Sequence, residues 1–200
     1  VPTDAFEYYV ETCRTKEEEL TSAGVRTLAN RLAGGITVIR SLTNEWYTPI
    51  RYLDAARLVL DRIDLDPASC DEANETVQAV EYFTEDDDGL SQDWHGRVWL
   101  NPPYGRIAGD FVERLTAQYD QGKIQAAIAL VNAHCTDTGW FQSLWDHTLC
   151  FTNHRIDFAA GTADRSGSTH GSVFAYLGPN PHLFADHFAQ FGAVVRRWPR

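Results

Sequence analysis

This 200-residue chain contains no apolar run approaching the roughly 18 residues that a membrane-spanning helix needs. Its first 20 residues also lack the basic-then-apolar pattern of a secretion signal, so the expectation is a cytoplasmic protein with no membrane partner. Cysteine is scarce: Cys13, Cys70, Cys135 and Cys150 are scattered, without a Cys-x-x-Cys pair. That spacing argues for reduced thiols and against a disulfide frame or a zinc site. His134 beside Cys135 is the nearest thing to a ligand pair, but adjacent residues rarely face one ion, and no metal is expected. No internal repeat or low-complexity segment occurs. The one long irregular stretch is 159–171, rich in Gly, Ser and Thr.

Positive charge is also short, and the formal net charge is −11. Residues 61–93 hold twelve acids and a single base, Arg62, which alone accounts for −11, so the rest of the chain sums to zero. A salt-adapted protein would spread its acids more evenly; here the acidity is one pole. From Trp94 onward nine Arg and Lys stand against eight acids, with Arg155, Arg165, Arg196, Arg197 and Arg200 among them. A phosphate backbone would approach that second pole.

Of what is present, Asn101-Pro102-Pro103-Tyr104 carries the most chemistry. The motif follows Arg97-Val98-Trp99-Leu100, a short run with strand character, and precedes Gly105 and a helical pattern. Neither proline has an N–H, so the local carbonyls point outward as acceptors. The Asn101 side-chain oxygen and the Pro102 carbonyl can each accept one hydrogen of an exocyclic amine, while the Tyr104 ring lies on the base that carries it. Adenine N6 is a poor nucleophile because its lone pair is delocalised into the ring. Two acceptors out of the ring plane favour the pyramidal, nucleophilic form.

The remainder alternates strand and helix. Thr48 is expected to cap a helix that Pro49 starts and that runs through Leu53, Ala56 and Leu60. Strands are expected at 63–66, 98–100, 124–131, 148–151 and 172–177, the apolar run at 124–131 as a buried parallel strand. Helices are expected through Phe111, Leu115 and Tyr119, through Trp140 to Trp145, and through Leu183 to Phe191 with Gly192 closing the last. Ahead of this, 1–44 reads as a separate helical arm before a 45–200 domain. Asp4 can cap its first helix, and its second runs through Val25 to Leu32. Residues 26–40 have some helix-turn-helix character, but the turn is about a residue short and the flanks are not basic, so a packing arm is expected. The architecture is α/β, a mostly parallel sheet flanked by helices, with ligands at the strands' carboxyl ends, where Asp66 and Asn101 fall.

Several segments in order carry a resemblance: Glu45-Trp46-Tyr47-Thr48-Pro49, Leu65-Asp66-Pro67-Ala68-Ser69, Tyr82-Phe83-Thr84 and Asp87-Asp88-Gly89-Leu90. After the Asn-Pro-Pro-Tyr motif come Thr138-Gly139-Trp140-Phe141 and Arg155-Ile156-Asp157-Phe158. Over roughly 44–178 the series resembles the phage-type DNA N6-adenine methyltransferases of the Dam type. The resemblance implies a Rossmann-like methyltransferase fold, S-adenosylmethionine as donor and double-stranded DNA with a flipped adenine as acceptor. It also implies a phage or restriction–modification setting, with the host cytosol as location if phage-encoded. Catalytic roles then fall to Asn101, Pro102 and Tyr104. On the donor side, Asp66 takes the ammonium, and Pro67, Ala68 and Ser69 cradle the methionine moiety. Thr48, with Pro49 beside it, meets the carboxylate; Trp46 and Tyr47 wall the pocket. Asp88 bonds the ribose or the adenine amine, and Leu90 packs the ring; Asn101 borders both substrates. Arg106, Arg155 and Arg165, in or beside 105–110, 134–138 and 159–171, are the expected phosphate contacts.

Two absences qualify this. Asp66-Pro67 is not followed by the Phe and Gly-x-Gly loop usual in amino methyltransferases, and the spacing to Asn101 leaves little room for a full strand–helix–strand unit. The chain also lacks a Pro-Cys nucleophile, which weighs against cytosine C5 chemistry. The alternatives are an amino methyltransferase acting on RNA or a protein amide, and a DNA-binding protein with a decayed donor site. Recognition sequence and oligomeric state are not legible.

Overall fold

The chain divides into two units, Val1–Leu42 and Thr43–Arg200. The computed structural model describes residues 47–158 and 170–198, all within the second. The arm at 1–44, Trp46 and Arg165 lie outside the described residues.

Helix α1, Ile50–Leu60, turns Tyr52, Leu53, Ala55, Ala56, Val59 and Leu60 inward, the spacing of one helical face. It begins one residue later than the Thr48–Pro49 pattern predicts. Pro49, with φ −58° and ψ 141°, takes the cap position, and its carbonyl accepts the Tyr52 N–H at 3.0 Å. Thr48 therefore stands one place too far out to cap, and its hydroxyl is not so used.

Seven strands follow: β1 Leu65–Asp66, β2 Glu81–Tyr82, β3 Gly96–Leu100, β4 Ile124–Asn132, β5 Thr148–Thr152, β6 Ser172–Leu177 and β7 Gly192–Arg196. They form one sheet in the order β2-β1-β3-β4-β6-β5-β7. The first four are mutually parallel, β6 is antiparallel to both β4 and β5, and β7 is antiparallel to β5. Five strands thus share one direction. Helix α2, Asp71–Val77, links β1 to β2; α3, Ile107–Asp120, links β3 to β4; α4, Pro181–Phe188, links β6 to β7.

Three expectations change here. The short spacing after Asp66 does accommodate a parallel strand–helix–strand unit, because α2 has seven residues and β2 only two. The aromatic segment Trp140–Asp146 is a 3-10 helix, with His147 N–H closing onto Leu144 O at 3.1 Å, since so short a connection ends before an α-helical ladder forms. Gly192 does not close the last helix, which ends at Phe188; it opens β7, a strand the sequence pattern concealed.

Both faces of the sheet are covered. On one side Trp99, Ile128, Leu130, Cys150, Phe174 and Tyr176 pack against α1 and against Phe184 and Phe188 of α4. On the other, Val98, Leu100, Ala127, Ala129, Val173 and Leu177 meet Phe111, Val112 and Leu115 of α3 and Phe141 and Leu144 of the 3-10 helix. Alternate residues of β3, β4 and β6 go to opposite cores, which explains why these strands read as continuous apolar runs. Each such aromatic contributes about 1.5–3 kcal/mol by burial. Among the described residues no helix is long and apolar enough to cross a membrane.

At the amino ends of β1 and β3 a charged clamp joins the strands. The buried Asp64 carboxylate accepts the Arg97 Nε–H at 2.8 Å, the Arg97 backbone N–H at 2.9 Å and an Arg62 hydrogen bond. Arg97 also reaches Leu60 O and Asp61. Burial pushes the Asp64 carboxyl up, but the hydrogen bonds from Arg97 and Arg62 outweigh it and bring it to about 2. Its folded value is below the ordinary carboxylate value, so the group stabilises the fold above about pH 4 and loses that contribution as pH falls through about 2. The contribution is about 2 kcal/mol. Asp64→Asn should lower the free energy of urea unfolding at pH 7 by that order, and the gap to wild type should narrow as unfolding is repeated from pH 4 toward pH 2.

Candidate active site

From β1 the chain passes to β2 on one side, and the next strand, β3, lies on the other, so a crevice opens at the carboxyl ends of β1 and β3. Leu65 pairs with Val98, which puts Asp66 one residue and Asn101 three residues past the same rung of neighbouring parallel strands. Beyond Leu100 the chain leaves the sheet through half-buried Asn101, buried Pro102 and exposed Pro103. Gly105 makes the turn into α3 at φ 130°, a conformation that a side chain would strain. Arg106, exposed, takes the cap position of α3.

Tyr104 folds back against the α1 side of the core, and its ring meets Phe158 edge to face, centroids 6.1 Å apart and planes at 82°. Burial pushes its phenol well above the ordinary value, so the hydroxyl stays neutral.

Asp66 is almost wholly buried, at 2% exposure. Its Oδ1 accepts the Ala68 N–H at 3.2 Å, and among the described residues no Lys, Arg or His pairs with it. Burial pushes the carboxyl up to about 7, against the lowering effect of the Ala68 N–H and the Ser69 side chain. The turn after it is laced to the end of β2: Phe83 N–H donates to Asp66 O at 3.0 Å and Ser69 N–H to Phe83 O at 2.9 Å. Buried Thr48 has a hydroxyl with no hydrogen-bond partner among the described residues. Next to it, Tyr47 donates its O–H to Glu72 at 2.9 Å and lies near Cys70, beside the same turn.

The 84–92 loop closes over this turn. Asp87 accepts the Thr84 N–H and O–H at 2.9 and 2.7 Å, and Trp94 Nε1–H donates to Gly89 O at 2.7 Å. Asp88 is exposed with φ 50° and Leu90 is half-buried. Ala68, Leu90 and Phe83 all pack on the core that faces α3. Phe83 was not singled out as a site residue; its place one residue past β2, beside an exposed acidic turn, was the available signal.

The acidic pole splits in space. Asp61 and Asp64 sit at the amino end of β1, and 84–88 follow the carboxyl end of β2, so the acids follow the β2 edge of the sheet. Of the expected phosphate contacts, Arg106 and Arg155 are exposed and follow the carboxyl ends of β3 and β5, on the Asn101 side. Residues 134–138 likewise follow β4, whereas Arg165 and 159–169 lie outside the described residues. Arg196 pairs in register with Thr148, at the opposite end of β5. It lines a cavity of about 600 Å³ with Arg197, which is bound to Asp146 at 2.9 Å.

The family model of DNA N-6-adenine-methyltransferase (Dam) matches residues 36–178. The chain belongs to the Dam family. The match takes in every site segment from Tyr47 to Phe158 and begins within the stretch read as an arm. DNA N6-adenine methylation is the activity of that family, and the α/β sheet described above is a methyltransferase fold. No curated protein matches the sequence.

In this Dam-family chain the close approach at the Asp66 turn depends on Gly89. A Cβ there would stand 1.9 Å from Pro67 O and 3.4 Å from Phe83 Cβ. The close neighbour is Pro67 backbone, which has no flexible end to yield, so Gly89→Ala should cost about 1–3 kcal/mol in urea unfolding. The same loss should appear without any donor added.

Proposed function

We propose that this Dam-family protein transfers a methyl group from S-adenosylmethionine to N6 of an adenine flipped out of double-stranded DNA. The observation that carries this reading is the juxtaposition of a buried carboxylate and an Asn-Pro-Pro-Tyr segment at adjacent strand ends. Asn101 Oδ1 and the Pro102 carbonyl accept the two hydrogens of the target amine, and the Tyr104 ring stacks on the base. Flipping costs a few kcal/mol, of which stacking returns about 1–3. Catalysis is mostly positioning.

The donor-side residues fit the donor's chemistry. When bound, S-adenosylmethionine supplies an electrophilic methyl group. Asp66 is a buried carboxyl group with no Lys, Arg or His partner among the described residues, and the donor's ammonium is the complement of its ionised form. The Thr48 hydroxyl, buried and unpaired among the described residues, faces the same requirement from the carboxylate end. Pro67, Ala68 and Ser69 form the turn, Ala68, Phe83 and Leu90 supply apolar packing, and Trp46, Tyr47, Pro49 and Asp88 complete the wall. Arg106, Arg155 and Arg165 take DNA phosphates.

The missing Gly-x-Gly loop favoured a decayed donor site. Asp66 argues against decay: an unpaired buried carboxylate destabilises the fold, and a protein with no donor to bind gains nothing by keeping it.

Asn101→Ala should lower methylation of DNA by on the order of 100-fold or more while leaving donor affinity within about twofold. A labelled-methyl assay run on DNA, RNA and protein, beside calorimetry, reads both; equal transfer to RNA or protein would move the acceptor assignment. Asp66 gives a pH dependence. Its value in the free protein is raised to about 7, and the donor's ammonium requires the ionised form. Donor affinity should therefore fall as pH drops below about 7, by about tenfold per unit, with a proton released on binding at pH 6. Calorimetry in buffers of different ionisation enthalpy measures that proton, and Asp66→Asn should bind weakly with no such release.

A further inference from the structure

One polar cluster, on the α1 face beside Tyr104, is not used by the reading above. The Tyr52 ring is fully buried between Phe191, at 4.7 Å, and Phe174, at 5.3 Å. Its hydroxyl accepts Arg51 Nη2–H at 2.6 Å and stands 2.7 Å from His154 Nε2. Arg51 also approaches that nitrogen at 3.2 Å and lies over the Tyr52 ring. On the far side, His154 Nδ1 is 2.7 Å from Asn153 Oδ1.

Arginine can only donate, so His154 Nε2, which Arg51 approaches at 3.2 Å, acts as an acceptor, and the Tyr52 hydroxyl accepts from Arg51 and donates its own hydrogen to that nitrogen. With Nε2 accepting, Nδ1 carries the ring hydrogen and donates it to Asn153 Oδ1. The result is a directed chain, Arg51 to Tyr52 to His154 to Asn153, running from α1 into the segment after β5.

The two ends of the chain are unequally held. α1 is fixed by six buried residues. Among the contacts of residues 153–158 are the Asn153 N–H bond to Phe191 O, at 3.0 Å, and the buried side chains of Ile156 and Phe158. Phe158 is the ring against which Tyr104 packs. Loosening the latch therefore loosens the 153–155 end of the segment that leads to Phe158, while α1 keeps its buried face.

We propose that Tyr52 and His154 are positioning residues: their hydrogen bond holds the 153–158 segment so that Phe158 sets the plane of the Tyr104 ring for the target base. The catalytic part of this inference rests on the function proposed above; the latch itself does not.

Tyr52→Phe keeps the buried ring and removes only the hydroxyl, and His154→Leu removes the acceptor. Both singles should lower kcat about tenfold or more, since small misplacements at a reacting centre are costly, with donor affinity changed less than twofold. The double variant should be no slower than either single, because both break one bond. Hydrogen exchange, read without substrate, should quicken in the 153–158 peptide and not in Ile124–Asn132. Unchanged exchange in both singles would overturn the latch. Quickened exchange with wild-type kcat would overturn its role in positioning. If the wild-type protein methylates no DNA, the function proposed above fails, and the exchange result still decides whether the latch exists.

Discussion

Asp64 and Arg97 bind the amino ends of β1 and β3 together through side-chain and backbone hydrogen bonds, and the functional end of the sheet depends on that registration. β1 is only two residues long and shares a single paired rung with β3. A strand so short has few ladder bonds to define its height. A one-residue slip would turn Asp66 to the other face and move it relative to Asn101. Arg97 resists the slip because its backbone N–H and its guanidinium both address Asp64, while the same guanidinium reaches Leu60 O at the end of α1. Helix, strand and strand are thus indexed to one carboxylate.

Two aspartates two residues apart meet opposite fates for that reason. Asp64 lies among arginines and is held well below the ordinary carboxylate range; Asp66 is more deeply enclosed, has one backbone donor, and is raised to about 7. Charge pairing decides the first and desolvation the second. Asp64 stabilises the fold at neutral pH and Asp66 does the reverse. The proposed donor site therefore lies where the fold is locally strained electrostatically, and the nearby clamp supplies an offsetting contribution.

The strands that bear the motifs were readable because both their faces are buried: 98–100, 126–131 and 173–177 are continuous apolar runs, the pattern of strands covered on both sides. The Asn101 and Asp66 positions followed, since both adjoin such strands or their proline stops. β2 and β7 were not readable. β2 has two residues, too few for any period to show, and β7 is an edge strand that begins at a glycine resembling a helix stop. Thr48 was expected to cap α1 and does not, because a Thr-Pro pair looks the same whether the threonine caps a helix or stands buried ahead of it. The Tyr52–His154 bond was invisible in principle. Its partners are 102 positions apart and neither belongs to a motif.

The same long-range closure bears on how the sheet could serve two substrates at once. In the proposed reading Asp66, Asp88 and Leu90 meet the donor on the β1 and β2 side, where the acids also gather, and Arg106 and Arg155, which follow β3 and β5, meet DNA. Segregating them lets a cationic ligand and a polyanion approach adjacent strand ends without competing for one field. The boundary runs between β1 and β3, which is where the chain reverses its direction of travel across the sheet and where the crevice opens. Topology, charge distribution and the Asp64–Arg97 clamp therefore meet at one pair of strands. A change to that pairing would disturb both halves of the site together, whereas a change in α4 or β7 would reach it only through the core.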